Sequence, residues 1–375
     1  MIYLDNAATT FFKPQCVLDA VSECLTKYPF NPNRGNNKFA YPLQQKLYET
    51  RKKLSLLYNN GNENFVAFTA GCTQALNLAI LGNAKRGHVI ISATEHNSVL
   101  RPVMQLKKRG YVDVSVAQPD EDGQISVETL DRLWKQNTYL VCVSHVSNVT
   151  GKRQNLAPLG KFVRRRNALF LVDCAQSVGY FGMDMAKNCV DLVAIGAHKG
   201  LHAMQGAGAL IFNDRCAPKP ILFGGTGTES HLYYQPQTLP DSLESGTLPT
   251  PAIVAMNAGL DFWLENWQQN SARVEEMQRL VLNGLKLLGG VTTYSQANKS
   301  GIVAFNVGNA DSNEIADALM KNDVVVRGGL HCAPMMHKYL GTFNQGAVRA
   351  SVSCVTTKQE CYALLNAVES IAKQR

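Results

Sequence analysis

The sequence predicts an α/β protein: a large, mostly parallel sheet of seven strands, followed by a smaller α+β domain. Three observations carry this reading. Short apolar runs alternate with helical stretches over the first two thirds of the 375 residues. The runs are apolar throughout, as expected of strands buried on both faces by crossover helices. Polar side chains able to do chemistry follow several runs at their carboxyl ends, where ligands sit in open α/β sheets. The length favours two domains. They are placed at 14–251 for the large one, and at 1–13 together with 252–375 for the small one.

A helix around Pro14–Lys27 leads into the turn-rich Asn31-Pro32-Asn33-Arg34-Gly35. A long amphipathic helix spans about Tyr41–Tyr58. Phe65–Thr69 reads as a strand and Gly71–Leu81 as the helix after it. His88–Ser92 is the next strand, and Ser98–Lys108 its helix. Val112–Val116, Leu140–Val143, Leu169–Val172, Leu192–Ile195 and Ala209–Phe212 complete the seven. Phe223–Pro251 is rich in Gly, Thr, Ser and Pro and lacks periodicity, and loops of that length are functional or disordered. A long helix starts near Pro251, and shorter α and β segments follow it.

Composition narrows the function classes. A hydrophobic content of 45% is ordinary for a globular chain. The net charge of +8 is mildly basic. Its densest cluster, Lys161-Phe162-Val163-Arg164-Arg165-Arg166, lies between a predicted helix and a strand. It reads as solvation of a helix end, because no nucleic-acid fold signature accompanies it. Ten cysteines at irregular spacing, with no CxxC pair, read as reduced thiols of a cytosolic protein. No apolar stretch reaches membrane-spanning length. The N-terminus lacks the basic region and apolar core of a signal peptide. A cytoplasmic protein without membrane or nucleic-acid partners is expected.

The candidate site residues stand mostly at predicted strand ends. Asp173 closes the run Leu169–Val172, and His198-Lys199 follow the run ending at Ile195. An acid and a lysine at neighbouring strand ends suit pyridoxal phosphate. The lysine can form a Schiff base, and the carboxylate can keep the pyridine nitrogen protonated. By themselves, Asp173 also suits a helix cap and Lys199 a surface position. Thr69-Ala70-Gly71-Cys72-Thr73-Gln74 joins a strand to a helix, so first-turn N–H groups and the Thr73 hydroxyl could cradle a phosphate. His96 follows another strand and could stack on a planar ring or relay a proton, or simply cap a helix. Asn148 suits a bond to a phenolic oxygen or a substrate carboxylate, or a turn before Gly151. The glycine-rich loop Val326–Pro334 carries Cys332, and Arg327 and His331 close by would favour a reactive thiolate. A metal site at His331, Cys332 and His337 lacks the paired ligands a tetrahedral shell needs, so none is expected. Arg349, in a strand-like run, needs an anionic partner: a substrate carboxylate held by its fork, or a structural acid.

Together these motifs resemble the class V aminotransferase family of fold-type I pyridoxal-phosphate enzymes, specifically its cysteine desulfurases and selenocysteine lyases. The similarity runs from Tyr3-Leu4-Asp5-Asn6-Ala7-Ala8-Thr9 to Val348-Arg349-Ala350-Ser351, with six motifs in the family's order. Arg327-Gly328-Gly329-Leu330-His331-Cys332-Ala333 is similar to the loop of the group with a short, ordered catalytic loop. The resemblance implies that Lys199 carries the cofactor and Asp173 pairs with its ring nitrogen. Gln176 would contact the ring oxygen and His96 would stack on the ring. Cys72, Thr73 and His198 would belong to the cofactor site, the last two on the phosphate. Thr247, in Glu-Ser-Gly-Thr, would reach the phosphate of a neighbouring subunit in a homodimer. Asn148 and Arg349, with Arg327, would bind the substrate, L-cysteine or L-selenocysteine. Cys332 would accept the sulfur and pass it to a further protein, as in iron–sulfur cluster assembly. Two motifs depart from the family. Gly196-Ala197-His198-Lys199 stands where Ser-Gly-His-Lys is usual, which removes one phosphate hydroxyl. Asn33-Arg34-Gly35 stands where His-Arg-Gly is usual. Other C–S lyases and aminotransferases share the scaffold, and thiol dependence separates them. A sulfur-relay protein without turnover would not need both Lys199 and Cys332.

Overall fold

The structure is a computed structural model that describes residues 1–32 and 37–374. The predicted turn residues Asn33, Arg34 and Gly35 lie outside the described residues. After β1 (Ile2–Tyr3) come α1 (Gln15–Thr26) and α2 (Tyr41–Tyr58). A regular alternation follows: β2 (Val66–Thr69), α3 (Cys72–Gly82), β3 (Gly87–Ser92), α4 (Asn97–Lys108), β4 (Val112–Ala117) and α5 (Val127–Leu133). It continues through β5 (Thr138–Ser144), α6 (Leu156–Arg165), β6 (Leu169–Asp173), α7 (Met185–Asn188), β7 (Leu192–Gly196) and β8 (Gly208–Phe212). The C-terminal part holds α8 (Thr250–Leu287), β9 (Val291–Thr293), β10 (Ile302–Val307), α9 (Ser312–Met320) and β11 (Val324–Val325). It ends with α10 (Pro334–Tyr339), β12 (Val348–Ser351) and α11 (Lys358–Lys373).

Strands β2 to β8 form one seven-stranded sheet in the order β2-β8-β7-β6-β5-β3-β4. Neighbours from β4 to β7 pair in parallel, and β8 is antiparallel to both β7 and β2. The reversal at β8 has a physical cause. The connection from β7 to β8 contains no helix, and a parallel return needs a crossover of a dozen or more residues. Side chains of the central strands alternate between two cores. Val141, Val143, Phe170, Val172, Val193 and Ile195 pack with residues of α6 and α8. Leu140, Cys142, Leu171, Leu192 and Ala194 pack with residues of α3 and α4. This period-2 division is why the strands read as unbroken apolar runs.

Two residues of the basic cluster at the end of α6, Arg164 and Arg166, are paired within the chain. Arg164 and Arg215 hold the fully buried Asp191 at 2.9 and 3.0 Å, and Arg166 bonds Asp131 and lies over the Phe162 ring. The C-terminal part is built on the antiparallel sheet β12-β10-β9. Val303 and Phe305 of β10 pack there with Val281 of α8, Ile315 of α9 and Leu364 of α11. β1 pairs in parallel with β11, and the Ser351 amide bonds the Leu4 carbonyl, so the first residues are tied to this sheet. All ten cysteines are free thiols. Among the described residues no helix is long and apolar enough to cross a membrane, and no group of three His, Cys, Asp or Glu could hold a metal.

Candidate active site

A cavity of about 580 Å³ opens at the carboxyl ends of β3, β5, β6 and β7 and at the start of α3. Its floor depends on two glycines. Gly71, before α3, has φ +153° and ψ 175°, a conformation open essentially to glycine alone. A Cβ on Gly208 of β8 would come within 2.5 Å of the Ile195 carbonyl and 2.7 Å of Gly71. Close packing of β8 under this turn sets the start of α3, at Cys72 and Thr73, against the cavity. First-turn amides have no intrahelical partner and carry the positive end of the helix dipole.

Lys199 lies just beyond β7 and lines the same cavity. Among the described residues its amine has no side-chain hydrogen bond or ion pair. Burial lowers its pKa, the Arg349 charge lowers it further, and Cys72 and Asp173 oppose them. Asp173, the last residue of β6, accepts the Ala175 amide at 2.8 Å and the Cys72 thiol at 3.4 Å. Burial and that carboxylate hold the Cys72 thiol well above the usual range. Gln176 donates its amide to the Ala7 carbonyl at 3.0 Å. His198 is held by its carbonyl, which accepts from the Thr9 hydroxyl and the Thr10 amide at 3.1 Å. Its ring Nδ1 is buried without a partner. Burial, then Lys199 and Lys13, lowers its pKa to about 4.

His96 caps α4, and the cap fixes its tautomer. The Ser98 amide donates to His96 Nδ1 at 3.1 Å, so Nδ1 is an acceptor and the proton of the neutral ring sits on Nε2. The Ser98 hydroxyl donates to the same Nδ1 at 2.8 Å and so accepts from Thr73 Oγ1 at 2.8 Å. Burial lowers the His96 pKa, which keeps the ring neutral near pH 7.

Arg349, Arg327 and Cys332, three of the predicted site residues, do not line this cavity. Arg349 of β12 is buried: its Nη2 meets Asp5 Oδ1 at 2.8 Å, its Nη1 donates to the Asn148 carbonyl at 3.0 Å, and its Nε has no partner. Of the two partners expected for Arg349, the structural acid is therefore in place. Arg327 pairs with Arg349 through both backbone amides, at 2.8 and 3.2 Å, and reaches to 4.0 Å from Cys332 Sγ. The Cys332 loop is pinned rather than free. Its carbonyl accepts the Asn97 amide at 2.7 Å, and Asn148 Nδ2 donates to the His331 carbonyl at 2.7 Å. His331 and Cys332 sit at φ +48° and +57°, in the left-handed region. His331 was expected to supply positive charge beside the thiol, and it does not. Burial and the Arg349 charge push its pKa down to about 2, and Nε2 is spent on the Ala347 carbonyl at 2.9 Å.

The structure thus gathers Lys199, Asp173, Gln176, His96, Cys72, Thr73, His198 and Asn148 around one cavity. Cys332 opens instead into an adjoining cavity of about 540 Å³ that shares Thr73, Asn77, His96 and Ser98 with the first. Thr247 is exposed on the loop before α8 and does not line the cavity of its own chain. Two residues near the site escaped sequence reading. Asp5 pairs with Arg349 across 344 residues, and no local signal announces that. Glu95 is buried between β3 and β5, bonded to the Ser92 hydroxyl and the Ser144 amide. Burial, with Asp173 adding, raises its pKa to about 8. Its place beside His96 at a strand end was the available signal.

Comparison with known proteins points the same way. The family model for class V aminotransferases matches residues 2–364. A probable cysteine desulfurase of Pyrococcus abyssi is 31% identical over 389 residues, spanning 100% of this chain and 94% of the relative. Another, of Methanothermobacter thermautotrophicus, is 30% identical, spanning 99% and 94%. Among solved structures, the apo cysteine desulfurase of Thermococcus onnurineus NA1 matches with a TM-score of 0.91 at 28% identity, over 100% of this chain and 95% of that one.

Proposed function

The chain belongs to the class V aminotransferase family, and we propose that it is a pyridoxal-phosphate enzyme that takes sulfur from L-cysteine, releasing L-alanine and leaving a persulfide on Cys332. The observation that carries this reading is the uncommitted amine of Lys199. It lines one cavity with Asp173, Cys72 and Thr73, and that cavity adjoins the one lined by Cys332.

The residues fit the cofactor. The amides at the start of α3 and the partnerless His198 Nδ1 suit a phosphate. Asp173 would face the ring nitrogen, His96 the ring, and Gln176 the ring oxygen. Pyridoxal phosphate, when bound, supplies a carbonyl that condenses with amines and a protonated ring that withdraws electrons. The chain's own groups do the rest. The lowered pKa of Lys199 leaves more of it as the free amine, the form that would hold the cofactor and take the substrate α-proton. Arg349 would offer its free Nε–H to the substrate carboxylate while Asp5 holds Nη2 and the Asn148 carbonyl holds Nη1. Asn148 and Arg327 complete that end of the site. Cys332 attacks the substrate sulfur, with the Arg327 guanidinium placing positive charge beside it. A sulfur–sulfur bond forms as the carbon–sulfur bond breaks. The electron pair stays with the three-carbon fragment, which takes up protons and leaves as alanine.

The same reading includes a homodimer. Leu222 is 52% exposed at the rim of the cavity, the adjacent Phe223 is 75% exposed, and Tyr233 and Tyr234 stand almost fully exposed on the same loop. A second copy covering them would bring its Thr247 to the neighbouring phosphate. The persulfide step is tested by incubating the cofactor-loaded protein with L-cysteine, alkylating it, and mapping sulfur by peptide mass spectrometry. Added sulfur on the Cys332 peptide, absent in Lys199→Ala, is expected. An unmodified Cys332 during turnover would refute the assignment.

A further inference from the structure

We propose that the cavity holding Cys332 is a docking groove for an acidic segment of a thiol-bearing protein, which takes the sulfur from Cys332. The inference rests on the persulfide chemistry proposed above and names the kind of partner that consumes it.

Three observations lead there. First, Cys332 lines a cavity that adjoins the one holding Lys199 and shares Thr73, Asn77, His96 and Ser98 with it, so the sulfur lies next to the site and against the face of α4. Second, one wall of that cavity is a cationic helix face. Arg101, Gln105 and Arg109 follow one another at four-residue spacing along α4 and its end, all exposed, and all three line the groove. Lys107 and Lys108 add charge in the last turn, and Asn97 to Arg109 contains no acid. Among the described residues no acidic side chain lines the groove. Third, among the described residues these charges have no partners. Arg164, Arg166, Arg215, Arg273 and Arg279 each meet a carboxylate. Among the described residues, the side chains of Arg101, Lys107, Lys108 and Arg109 form no ion pair or hydrogen bond. The face is also fixed relative to the sulfur, because the first amide of α4, at Asn97, holds the Cys332 carbonyl at 2.7 Å. Arg101 stands one turn further on.

Chemistry selects the partner. The acceptor thiolate attacks the outer sulfur of the Cys332 persulfide. A new sulfur–sulfur bond forms, the bond to Cys332 breaks, and Cys332 leaves as thiolate. No oxidant or reductant is needed. A nucleic acid would satisfy the charge, but its ordinary nucleotides offer no thiol. An acidic polypeptide with a cysteine satisfies both, and unpaired cations near the rim speed encounter with such a partner.

The test offers two synthetic cysteine peptides to the holoenzyme charged with L-cysteine and then desalted: one rich in Asp and Glu, the other with Lys at the same positions. Persulfide on each is read by mass spectrometry, and peptide binding by fluorescence anisotropy. The acidic peptide should receive sulfur about tenfold faster at low salt, and the advantage should shrink as salt rises. Arg101→Glu with Arg109→Glu should abolish the preference in both readouts, while alanine release with a small neutral thiol stays unchanged. Equal rates and affinities for the two peptides, or a preference that survives the double variant, would overturn the proposal. So would an RNA oligonucleotide that displaces the acidic peptide and binds the groove more tightly. Failure to charge Cys332 at all is seen before any peptide is added. It refutes the proposed reaction, while the anisotropy arm still decides the groove.

Discussion

Removing Asp5 should leave a buried, unpaired charge at Arg349. The Arg349 side chain is 2% exposed and that of Asp5 16%, with 2.8 Å between Nη2 and Oδ1. Burial pushes the Arg349 pKa down and Asp5 pushes it back up, so the carboxylate is what keeps this guanidinium acceptable inside the fold. Breaking such a pair by removing one partner costs about 3–5 kcal/mol, and the partial exposure of Asp5 puts Asp5→Ala near the lower end, about 3 kcal/mol. Urea unfolding of the cofactor-free protein measures this without linkage to ligand. Taking away both charges, Asp5→Ala with Arg349→Met, should recover most of the loss, because no charge then remains to be paired. In the holoenzyme, Asp5→Ala should also raise KM for L-cysteine more than it lowers kcat, since the Nε–H offered to the substrate carboxylate loses its anchor. A cost below about 1 kcal/mol, or additive effects of the two substitutions, would refute the argument that Asp5 and Arg349 act as one unit.

Glu95 gives a prediction with a defined sign. Its folded pKa, about 8, lies above the ordinary 4.5, so its contribution to stability is present below about 4.5 and is lost as pH rises through 8. Glu95→Gln should flatten the decline of the urea midpoint across that window, and an unchanged slope would count against a neutral Glu95. Gly208→Ala should place a Cβ against Ile195 and Gly71, cost about 1–3 kcal/mol, and weaken cofactor retention on dialysis. Gly196→Ser has room, since its Cβ would sit 3.4 Å from the Cys72 Cβ. It should fold normally and retain the cofactor longer, with the gain of one hydrogen bond worth about 1 kcal/mol. Faster cofactor loss would show that the hydroxyl does not reach the phosphate.

Much of this was legible because the strands of a doubly covered sheet are apolar throughout. Asp173, His96 and Lys199 stand out in the sequence among the polar groups just after such runs, and those are the positions the fold turns into a cavity. The direction of β8 is not contained in its own residues; it follows from a connection too short to carry a helix. The partner of Arg349 was equally hidden, because the strand-like run around it shows that it is buried but not that Asp5 comes to it. The loop around Cys332 misled in a different way. Sequence proximity suggested that His331 would sit charged beside the thiol, but the two residues take left-handed conformations and the ring turns inward to the Ala347 carbonyl. Only the fold shows that Cys332 lines a groove together with Arg101 and Arg109 of α4 and its end.

The most direct measurement is the stoichiometry of alanine and sulfide released from L-cysteine by the holoenzyme under reducing conditions, in the wild type and in Cys332→Ala. The account predicts equal alanine and sulfide from the wild type. It predicts loss of both in Cys332→Ala, with the cofactor absorbance intact. Alanine and sulfide released by Cys332→Ala at the wild-type rate would contradict it.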